Sequence, residues 1–303
     1  MQTRLRITPK YPFNLNACLR SHGWASLQPN AYLPDKEGLL RYEHLPGFGV
    51  VKMEVTQGAK DGGQSPLTVI VDSATPLTAD ARQALRKRVA HMLRLDEDLQ
   101  PFYALCQVKG RPWSGIQPGE GLLVRSPSIY EDLVKVICTT NIQWGGTKRM
   151  AAEFVSAFGA PYGGDGERAF PLPEAVACVR FEEFTGRVRM GYRAAYVYEL
   201  SVGAASGEID LSHASFSGLT TEEIRQRLKA VKGVGDYAAA SMLMLMGRYD
   251  FIAVDTVFRD FMKARYFPTG DYSESRALEI YQGWGEWKYL AYWFDMLKFR
   301  QQA

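Results

Sequence analysis

The sequence is poor in cysteine, and its four cysteines lie far apart. Cys18, Cys106, Cys138 and Cys178 have none of the close spacings that typify a zinc site or an iron–sulfur cluster, so neither is expected. We interpret them as reduced thiols of a cytoplasmic protein, associated with the nucleoid if the source is bacterial.

Long apolar runs are also missing. No window approaches the ~20 apolar residues needed to span a bilayer, and the N-terminus has no apolar run of signal-peptide length. We therefore expect neither membrane insertion nor secretion. The net charge is only +3, so a polyanion site would have to come from local clusters such as Arg86–Arg88 or Lys148–Arg149. The overall charge neither demands nor excludes nucleic acid as a partner.

Apolar residues, by contrast, make up 46% of the 303 residues, enough for a sizeable core. In the first third, Val51, Met53 and Val55 alternate with polar residues, and a second apolar run, LTVIVD, follows the turn-rich stretch GAKDGGQSP. This pattern predicts a hairpin of a half-buried antiparallel sheet. From Thr78 the apolar period becomes that of a helix, so the sheet is expected to carry at least one helix.

A loop rich in glycine and proline, Gly110–Gly121, marks the expected domain boundary. We predict an α+β fold, with an antiparallel β-sheet domain over residues 1–122 and an all-helical core over residues 123–303. The helical part should begin with Ser126 as N-cap and Pro127 at the first helical position, where the missing N–H costs nothing.

The stretch VKGVGDY places a tight glycine turn between two helical patterns. Thr220 and Glu223 have the spacing of a capping box that opens the first helix. Gly233 and Gly235 can adopt positive φ and leave backbone N–H groups uncovered at a helix N-terminus, which suits a phosphate. The pattern indicates a helix-hairpin-helix that grips DNA without sequence preference. The alternative is an ordinary helix–helix turn capped by glycine.

After this turn, AVDTVFRDF places Asp255 directly before the next helical pattern. The hairpin GVG, a helix and then VD at a helix start resemble the helix-hairpin-helix (HhH-GPD) DNA glycosylases. ICTTNIQW and MGYRAAYV are similar to two further segments of that superfamily. The resemblance covers most of the chain and implies the three-domain plan of 8-oxoguanine DNA glycosylase and of AlkA-type 3-methyladenine DNA glycosylase II, in which two helical subdomains of residues 123–303 flank the active-site cleft.

The resemblance implies a catalytic role for Asp255, whose carboxylate would stabilise positive charge on the deoxyribose and orient water. A helix N-cap is the alternative role, and the two are compatible. Tyr237, Ser241 and Trp293 would line the base pocket. Bifunctional members carry a lysine where this chain has Tyr237, so we expect a water nucleophile and no AP-lyase activity. Lys232 lies in the turn and is expected to be exposed rather than nucleophilic.

The resemblance also implies which residues contact DNA. Those of the hairpin are Lys232, Gly233, Val234, Gly235 and Asp236, whose carbonyls would in addition hold a structural monovalent cation. Asn141 would enter the duplex, with Tyr192 and Arg193 as a second wedge towards the opposite base. The alternatives are a polar loop cap for Asn141, and a core-packed Tyr192 followed by an exposed Arg193. No cofactor or metal is needed for catalysis.

Substrate preference follows from departures from the 8-oxoguanine pattern. Tyr237 replaces the lysine, Val257 replaces a histidine, and SHGWASLQPN differs from the stretch that reads the oxidised base, which together favour alkylated purines. GYRAAYV and ICTTN are closer to the oxidised-purine branch, so that alternative stays open. We predict a monomeric, monofunctional DNA glycosylase of base excision repair that acts on double-stranded DNA. The second hypothesis is a protein that binds damaged DNA without catalysis, against which Asp255 argues.

Overall fold

The computed structural model describes residues 1–58, 65–164 and 166–302. In this part of the chain, five strands and thirteen α-helices form an α+β fold, as predicted. The strands are β1 (Gln2–Ile7), β2 (Asn30–Leu33), β3 (Gly38–Leu45), β4 (Gly49–Gln57) and β5 (Leu67–Asp72). They form one antiparallel sheet in the order β1-β5-β4-β3-β2.

The helices vary in length from single turns to about four turns. They are α1 (Leu15–Leu19), α2 (Ala79–Met92), α3 (Gln100–Lys109), α4 (Ile129–Thr139), α5 (Trp144–Phe158), α6 (Pro173–Ala177), α7 (Phe181–Arg187), α8 (Arg193–Ser206), α9 (Thr221–Lys229), α10 (Asp236–Leu245), α11 (Thr256–Tyr266), α12 (Glu274–Gln282) and α13 (Lys288–Gln302). Among these helices, none has both the length and the apolar character that a membrane span requires.

The predicted hairpin is confirmed in β4 and β5, which pair antiparallel with Met53 opposite Val71 and Val55 opposite Val69. These four side chains are buried, whereas their neighbours along each strand are partly exposed, as the alternation predicts. The predicted turn GAKDGGQSP lies for the most part outside the described residues. The helix expected from Thr78 is α2, and Thr78 is its N-cap.

The chain divides into two compact units. The first comprises Met1–Glu97 and Leu122–Ser217, and contains the sheet with α1, α2 and α4 to α8. The second comprises Asp98–Gly121 and Gly218–Ala303, and contains α3 and α9 to α13. The chain passes from the second unit to the first between Gly121 and Leu122, which coincides with the boundary expected at residue 122. The sheet, however, belongs to the same unit as residues 122–217. The division into domains 1–122 and 123–303 therefore stays a prediction.

The start of α4 corrects the predicted N-cap. Ser128, not Ser126, is the cap: its backbone is extended and its Oγ accepts the N–H of Glu131 at 3.2 Å. Ser126 is buried, and its own N–H donates to Asp132 Oδ1 at 3.0 Å. Pro127 consequently lies before the helix. The side chain of Asp132 accepts the N–H of Ser126, so Ser128 is the serine that caps the helix.

A cluster of buried charges links β3 to α4 within the first unit. The guanidinium of Arg41 binds Glu131 in bidentate fashion, with nitrogen–oxygen distances of 2.9 and 2.7 Å, and Lys135 Nζ lies 2.6 Å from Glu131 Oε1. Arg41 also donates to Glu43 at 2.6 Å. Burial alone would raise the pKa of Glu131, but the charges of Arg41 and Lys135 lower it to about 2. The cluster fixes the helix that leads into the loop at Asn141.

A second buried carboxylate joins three helices of the second unit. Asp295 on α13 is fully buried, and its Oδ2 accepts the hydroxyl protons of Tyr266 and Tyr281 at 2.5 and 2.8 Å. Arg265 forms an ion pair with Oδ1 at 2.9 Å. Burial raises the pKa of Tyr266 to about 12, so this phenol stays a donor at neutral pH. Asp295 therefore ties α11 and α12 to α13.

Candidate functional site

The glycine turn forms the predicted helix-hairpin-helix. The capping box of α9 is confirmed: Thr220 and Glu223 exchange hydrogen bonds between side chain and backbone. The turn that follows is closed by the Val234 N–H, which donates to the Val231 carbonyl at 3.1 Å. Gly233 adopts a φ of +88°, in the left-handed region that favours glycine.

The two glycines of the turn have different conformations. Gly235 is extended, with a φ of −85°, and is the N-cap of α10, so only Gly233 uses the positive φ that both can adopt. A Cβ added to Gly235 would meet no atom of the described chain within 4 Å. Having no side chain, Gly235 leaves the approach to the first N–H groups of α10 uncovered, which is the geometry that binds phosphate.

Charged side chains flank the hairpin. Lys232 is exposed, as expected, and Val234 is buried beneath the turn. The carboxylate of Asp236 turns to α9, where Lys229 and Arg225 lie 2.7 and 3.0 Å away. The hydrogen bond from Lys229, and the charges of Lys229 and Arg225, hold the pKa of Asp236 below its usual range. Asp236 therefore neutralises two cations of α9 and presents its backbone, not its carboxylate, at the helix start.

Asp255 begins α11. Its Oδ1 accepts the backbone N–H of Phe258 at 2.7 Å, so the N-cap role is confirmed. The residue is half-buried, and among the hydrogen bonds of the described residues only Oδ1 is engaged in this way. The carboxylate is thus held rigidly while one oxygen stays available. Its catalytic role stays a prediction.

A series of aromatic rings connects α11 to α13. The ring of Phe258 meets that of Tyr292 edge-on, with centroids 5.2 Å apart, and Tyr292 lies 6.0 Å from Tyr289. Tyr289 in turn stacks on Trp293, with centroids 6.1 Å apart and an interplanar angle of 12°. The predicted pocket residue Trp293 is therefore connected through two tyrosines to the helix that Asp255 caps.

Electrostatics place Tyr237 in the same neighbourhood. Burial raises the pKa of Tyr289 well above its ordinary value, and Tyr292, Tyr237 and Asp255 raise it further. Tyr237 and Asp255 therefore lie within electrostatic range of the Tyr289 phenol. The side chain of Tyr237 is 40% exposed, enough to contact a ligand. One turn along α10, Ser241 Oγ donates to the Tyr237 carbonyl at 3.0 Å.

Tyr289 is the residue of this group that the sequence did not single out. It stands four positions before Trp293 on α13, so the two share one helix face. The sequence shows this four-residue spacing, which is typical of two side chains on one face of a helix. The surrounding run YQGWGEWKYLAYWFDMLKF is so rich in aromatic residues that spacing alone does not separate a ligand-facing pair from the core.

In the first unit, the three predicted wedge residues come together. Asn141 is exposed and has a φ of +47°, and its Nδ2 donates to the Tyr192 hydroxyl at 3.3 Å across 51 positions of sequence. Arg193 Nε donates to the Thr140 carbonyl at 3.1 Å, and the guanidinium lies over the ring of Tyr192 at 4.4 Å.

The exposures of Tyr192 and Arg193 are the opposite of those in the alternative, which expected a core-packed tyrosine and an exposed arginine. Tyr192 is 54% exposed, whereas Arg193 is 6% exposed and its guanidinium is engaged by the carbonyls of Thr140 and Asn141. Arg193 therefore fixes the loop that carries Asn141. Entry of Asn141 and Tyr192 into a duplex, and contact of Arg193 with the opposite base, stay predictions.

Comparisons with known proteins give structural matches only, since no family model and no curated protein matches the chain. The 3-methyladenine DNA-glycosylase from Archaeoglobus fulgidus is similar with a TM-score of 0.69 and 18% identity, over 96% of this chain and 97% of that one. The 8-oxoguanine glycosylase/lyase of Clostridium acetobutylicum in its apo form is similar with a TM-score of 0.69 and 16% identity, over 98% of this chain and 97% of that one. The structure of the same enzyme in complex with double-stranded DNA is similar with a TM-score of 0.66 and 17% identity, over 98% of both chains.

These likenesses establish the fold. The chain has the fold of the helix-hairpin-helix DNA glycosylases, with the N-terminal sheet and the helical core that the resemblance implied.

Proposed function

We propose that this protein is a DNA glycosylase, a hydrolase that releases a damaged base from double-stranded DNA in base excision repair. The observation that carries the proposal is the half-buried carboxylate of Asp255, held by the Phe258 N–H at the start of α11, on a helix that packs through Phe258 and Tyr292 on the aromatic rings of α13. In this fold the hairpin would grip the DNA backbone and the carboxylate would face the sugar of the flipped nucleotide.

The chemistry asked of Asp255 is electrostatic and general-base catalysis. Breaking an N-glycosidic bond develops positive charge on the deoxyribose, which a fixed carboxylate stabilises while it orients the attacking water. Since Oδ1 is bonded to the Phe258 N–H, the other oxygen is the one that would face the sugar and the water.

Water as the nucleophile is supported by Tyr237. A lysine at this place on the second hairpin helix would attack C1′ and form a Schiff base, which a phenol cannot do. Lys232 lies in the turn before α10 and is exposed. The product would then be an abasic site in an intact strand, without AP-lyase activity.

An alkylated purine is the proposed substrate. Tyr237, Tyr289 and Trp293 offer electron-rich rings, on which an electron-poor alkylated base stacks well. Flipping costs a few kcal/mol of stacking and pairing. Asn141, in the loop between α4 and α5, and Tyr192, at the start of α8, are joined by a hydrogen bond and would fill the gap that the flipped base leaves.

Two further expectations belong to the proposal. We expect the protein to act as a monomer. The turn carbonyls around Gly233 are oxygen ligands of the kind that bind hard cations, and they would hold the structural monovalent cation. No step of the reaction above depends on that cation.

The test is single-turnover base release from duplexes that contain 3-methyladenine, 1-methyladenine, 7-methylguanine, hypoxanthine or 8-oxoguanine, each assayed with and without alkali. Strand breaks that require alkali, on alkylated purines, are the expected result. Breaks without alkali would show a Schiff-base lysine, and release of 8-oxoguanine alone would favour the oxidised-purine alternative. Binding of lesion duplexes without release of any base would leave the non-catalytic binder.

A further inference from the structure

Arg193 is a buried arginine beside the exposed loop that carries Asn141. Only 6% of the residue is exposed, whereas its neighbour Tyr192 is 54% exposed. Taking a guanidinium out of water costs free energy that hydrogen bonds must offset. Arg193 Nε donates to the Thr140 carbonyl at 3.1 Å, and Nη2 donates to the same carbonyl and to that of Asn141 at 3.4 Å. The guanidinium therefore binds the loop from within the protein.

The backbone conformation of this loop depends on such support. Asn141 has a φ of +47°, in the left-handed region that residues other than glycine seldom adopt. Thr140 Oγ1 donates to the Ile137 carbonyl at 2.8 Å and accepts Arg193 Nε at 3.3 Å. A planar guanidinium holds its N–H groups in fixed directions, so it orients two successive carbonyls at once. The ammonium of a lysine lacks this fork.

The same guanidinium contacts the second predicted wedge residue. It lies over the Tyr192 ring, 4.4 Å from the centroid, in a cation–π contact. The Tyr192 hydroxyl accepts Asn141 Nδ2–H at 3.3 Å and lies 3.4 Å from Thr140 Oγ1. Arg193 thus holds the backbone of one exposed residue and the ring of the other, across 52 positions of sequence.

We propose that Arg193 is a positioning residue, which assembles Asn141 and Tyr192 into one preformed wedge and makes no contact with the base opposite the lesion. The inference rests on the proposed glycosylase function and replaces the opposite-base contact that the resemblance implies. A wedge that is already ordered enters the duplex without the entropy cost of fixing its loop. The wedge fills the same gap whatever base lies opposite, so the contribution of Arg193 is the same for all four opposite bases.

The first experiment measures single-turnover base release by Arg193→Lys at subsaturating enzyme. The lesion is the one that the unaltered protein releases fastest, placed opposite each of the four bases and opposite an abasic site. Lysine keeps the charge without the fork, and we expect release to fall about 10-fold opposite every base, as for one or two lost hydrogen bonds. Opposite the abasic site, where flipping costs less, the loss should stay below about 3-fold. A loss confined to one opposite base would show that Arg193 reads that base, and would overturn the inference.

Arg94 provides the matched control for Arg193→Lys. It is 2% exposed, and its Nε donates to the Leu123 carbonyl at 2.6 Å, so it is another buried arginine that binds the backbone. Arg94→Lys should lower thermal stability and change release by the same factor opposite a base and opposite an abasic site. If Arg193→Lys also lost equally on both substrates, Arg193 would support the fold alone and the positioning role would be rejected.

A double variant tests whether Arg193 acts through Asn141. Asn141→Gly removes the side chain that Arg193 helps to place, so the two changes disturb one wedge. The loss in the double variant should be smaller than the product of the two single losses, measured opposite a base. Losses that multiply would show that the two residues act independently, which contradicts a single assembled wedge.

An NMR measurement keeps Arg193 in place and so does not depend on the folding of Arg193→Lys. The Nε–H signal of Arg193, assigned by through-bond correlation, is followed in ¹⁵N-labelled full-length Asp255→Asn protein bound to the lesion duplexes. We expect the same chemical shift with each of the four opposite bases. A shift that depends on the opposite base would place the guanidinium against that base and reject the positioning role.

The outcomes separate this inference from the function beneath it. Normal release by the unaltered protein, with a loss in Arg193→Lys that depends on the opposite base, would reject the role of Arg193 and leave the glycosylase intact. Failure of the unaltered protein to release any base would reject the glycosylase, and with it the wedge that Arg193 positions.

Discussion

Asp255 Oδ1 lies 2.7 Å from the backbone nitrogen of Phe258, whose N–H donates to it. The same bond that caps α11 also fixes the carboxylate, and the ring of Phe258 anchors this turn against Tyr292. Stability and proposed chemistry thus depend on one side chain. They can nevertheless be separated, because capping requires an acceptor oxygen whereas catalysis requires a negative charge.

Asp255→Asn should abolish most of the activity and spare the fold. Asparagine and aspartate are comparable N-caps, so we expect the free energy of unfolding to change by less than about 0.5 kcal/mol. Base release should fall by at least about 10²-fold, because the amide carries no charge and is no base. Urea unfolding and single-turnover base release measure the two effects.

Asp255→Ala serves as the comparison, since it removes both the cap and the charge. It should lose about 1 kcal/mol of stability in addition to the activity. Binding of lesion duplexes by Asp255→Asn, followed by fluorescence anisotropy, should equal that of the unaltered protein. Base release at an undiminished rate by Asp255→Asn would reject the catalytic role.

The two hairpin glycines should respond differently to alanine. At Gly235 the backbone is extended and a Cβ meets no distant atom of the described chain, so the lower backbone entropy of unfolded alanine offsets its poorer N-capping, and Gly235→Ala should change stability by less than about 1 kcal/mol. The new methyl group would nevertheless obstruct a phosphate at the start of α10, and we expect affinity for undamaged duplex to fall about 10-fold. Anisotropy titrations at a fixed salt concentration measure it.

Gly233→Ala is the matched variant. Its φ of +88° is unfavourable for alanine, so this variant should lose about 1 kcal/mol or more of stability. If Gly235→Ala bound undamaged duplex as tightly as the unaltered protein, the hairpin would not be the phosphate grip. Equal destabilisation by both variants would contradict the conformational distinction between the two positions.

Structural features that depend on short stretches of sequence were predictable. The alternation in β4 and the capping box of Thr220 and Glu223 depend on neighbours within a few residues, and both appear as expected. Placing Asp255 at a helix start rests on the same kind of local signal. The two serines before α4 show the limit, because both are acceptable caps and the buried Asp132 decides between them.

Features that depend on distant partners were not predictable. Lys135 and Glu131 lie on a helix face that a sequence pattern assigns to solvent, yet both are buried, because Arg41 meets Glu131 from 90 positions earlier. The burial of Arg193 likewise depends on carbonyls at Thr140 and Asn141. Long-range pairing of this kind leaves no periodic signal in the sequence.

Asn141→Gly should test the wedge without disturbing its loop. Glycine adopts the φ of +47° at this position freely, so the loop should keep its conformation while the side chain is lost. We expect base release from a fully paired lesion duplex to fall about 10-fold, because only Tyr192 is then left to fill the gap of the flipped base. Single-turnover release is the measurement.

A lesion placed opposite an abasic site provides the control for Asn141→Gly. Flipping costs less there, so the variant and the unaltered protein should differ by less than about 3-fold on that substrate. A loss of equal size on both substrates would show that Asn141 acts on the chemistry or the fold, and not on flipping.

Glu131 should make the stability of the protein depend on acid. Arg41 and Lys135 hold its pKa at about 2 in the folded chain, against an ordinary value of 4.5. The unfolded chain therefore binds a proton at Glu131 at a higher pH than the folded chain does. The stability that this difference contributes is fully present above about pH 4.5 and is lost as the pH falls towards about 2.

Glu131→Gln should remove that dependence at a cost in stability at neutral pH. We expect a loss of about 3–5 kcal/mol at pH 7, since Arg41 and Lys135 lose their buried counter-charge, and a flatter decline between pH 5 and pH 3 than in the unaltered protein. Glu54→Gln is the control, because Lys36 also lowers the pKa of Glu54 but this pair lies at the surface, and we expect a change below about 1 kcal/mol. Urea unfolding at pH 7, pH 5 and pH 3 measures the free energy of unfolding of each variant and of the unaltered protein. An equally steep decline in Glu131→Gln and in the unaltered protein would assign the acid sensitivity to other groups, because the buried Asp132 is common to both proteins and cancels in the comparison.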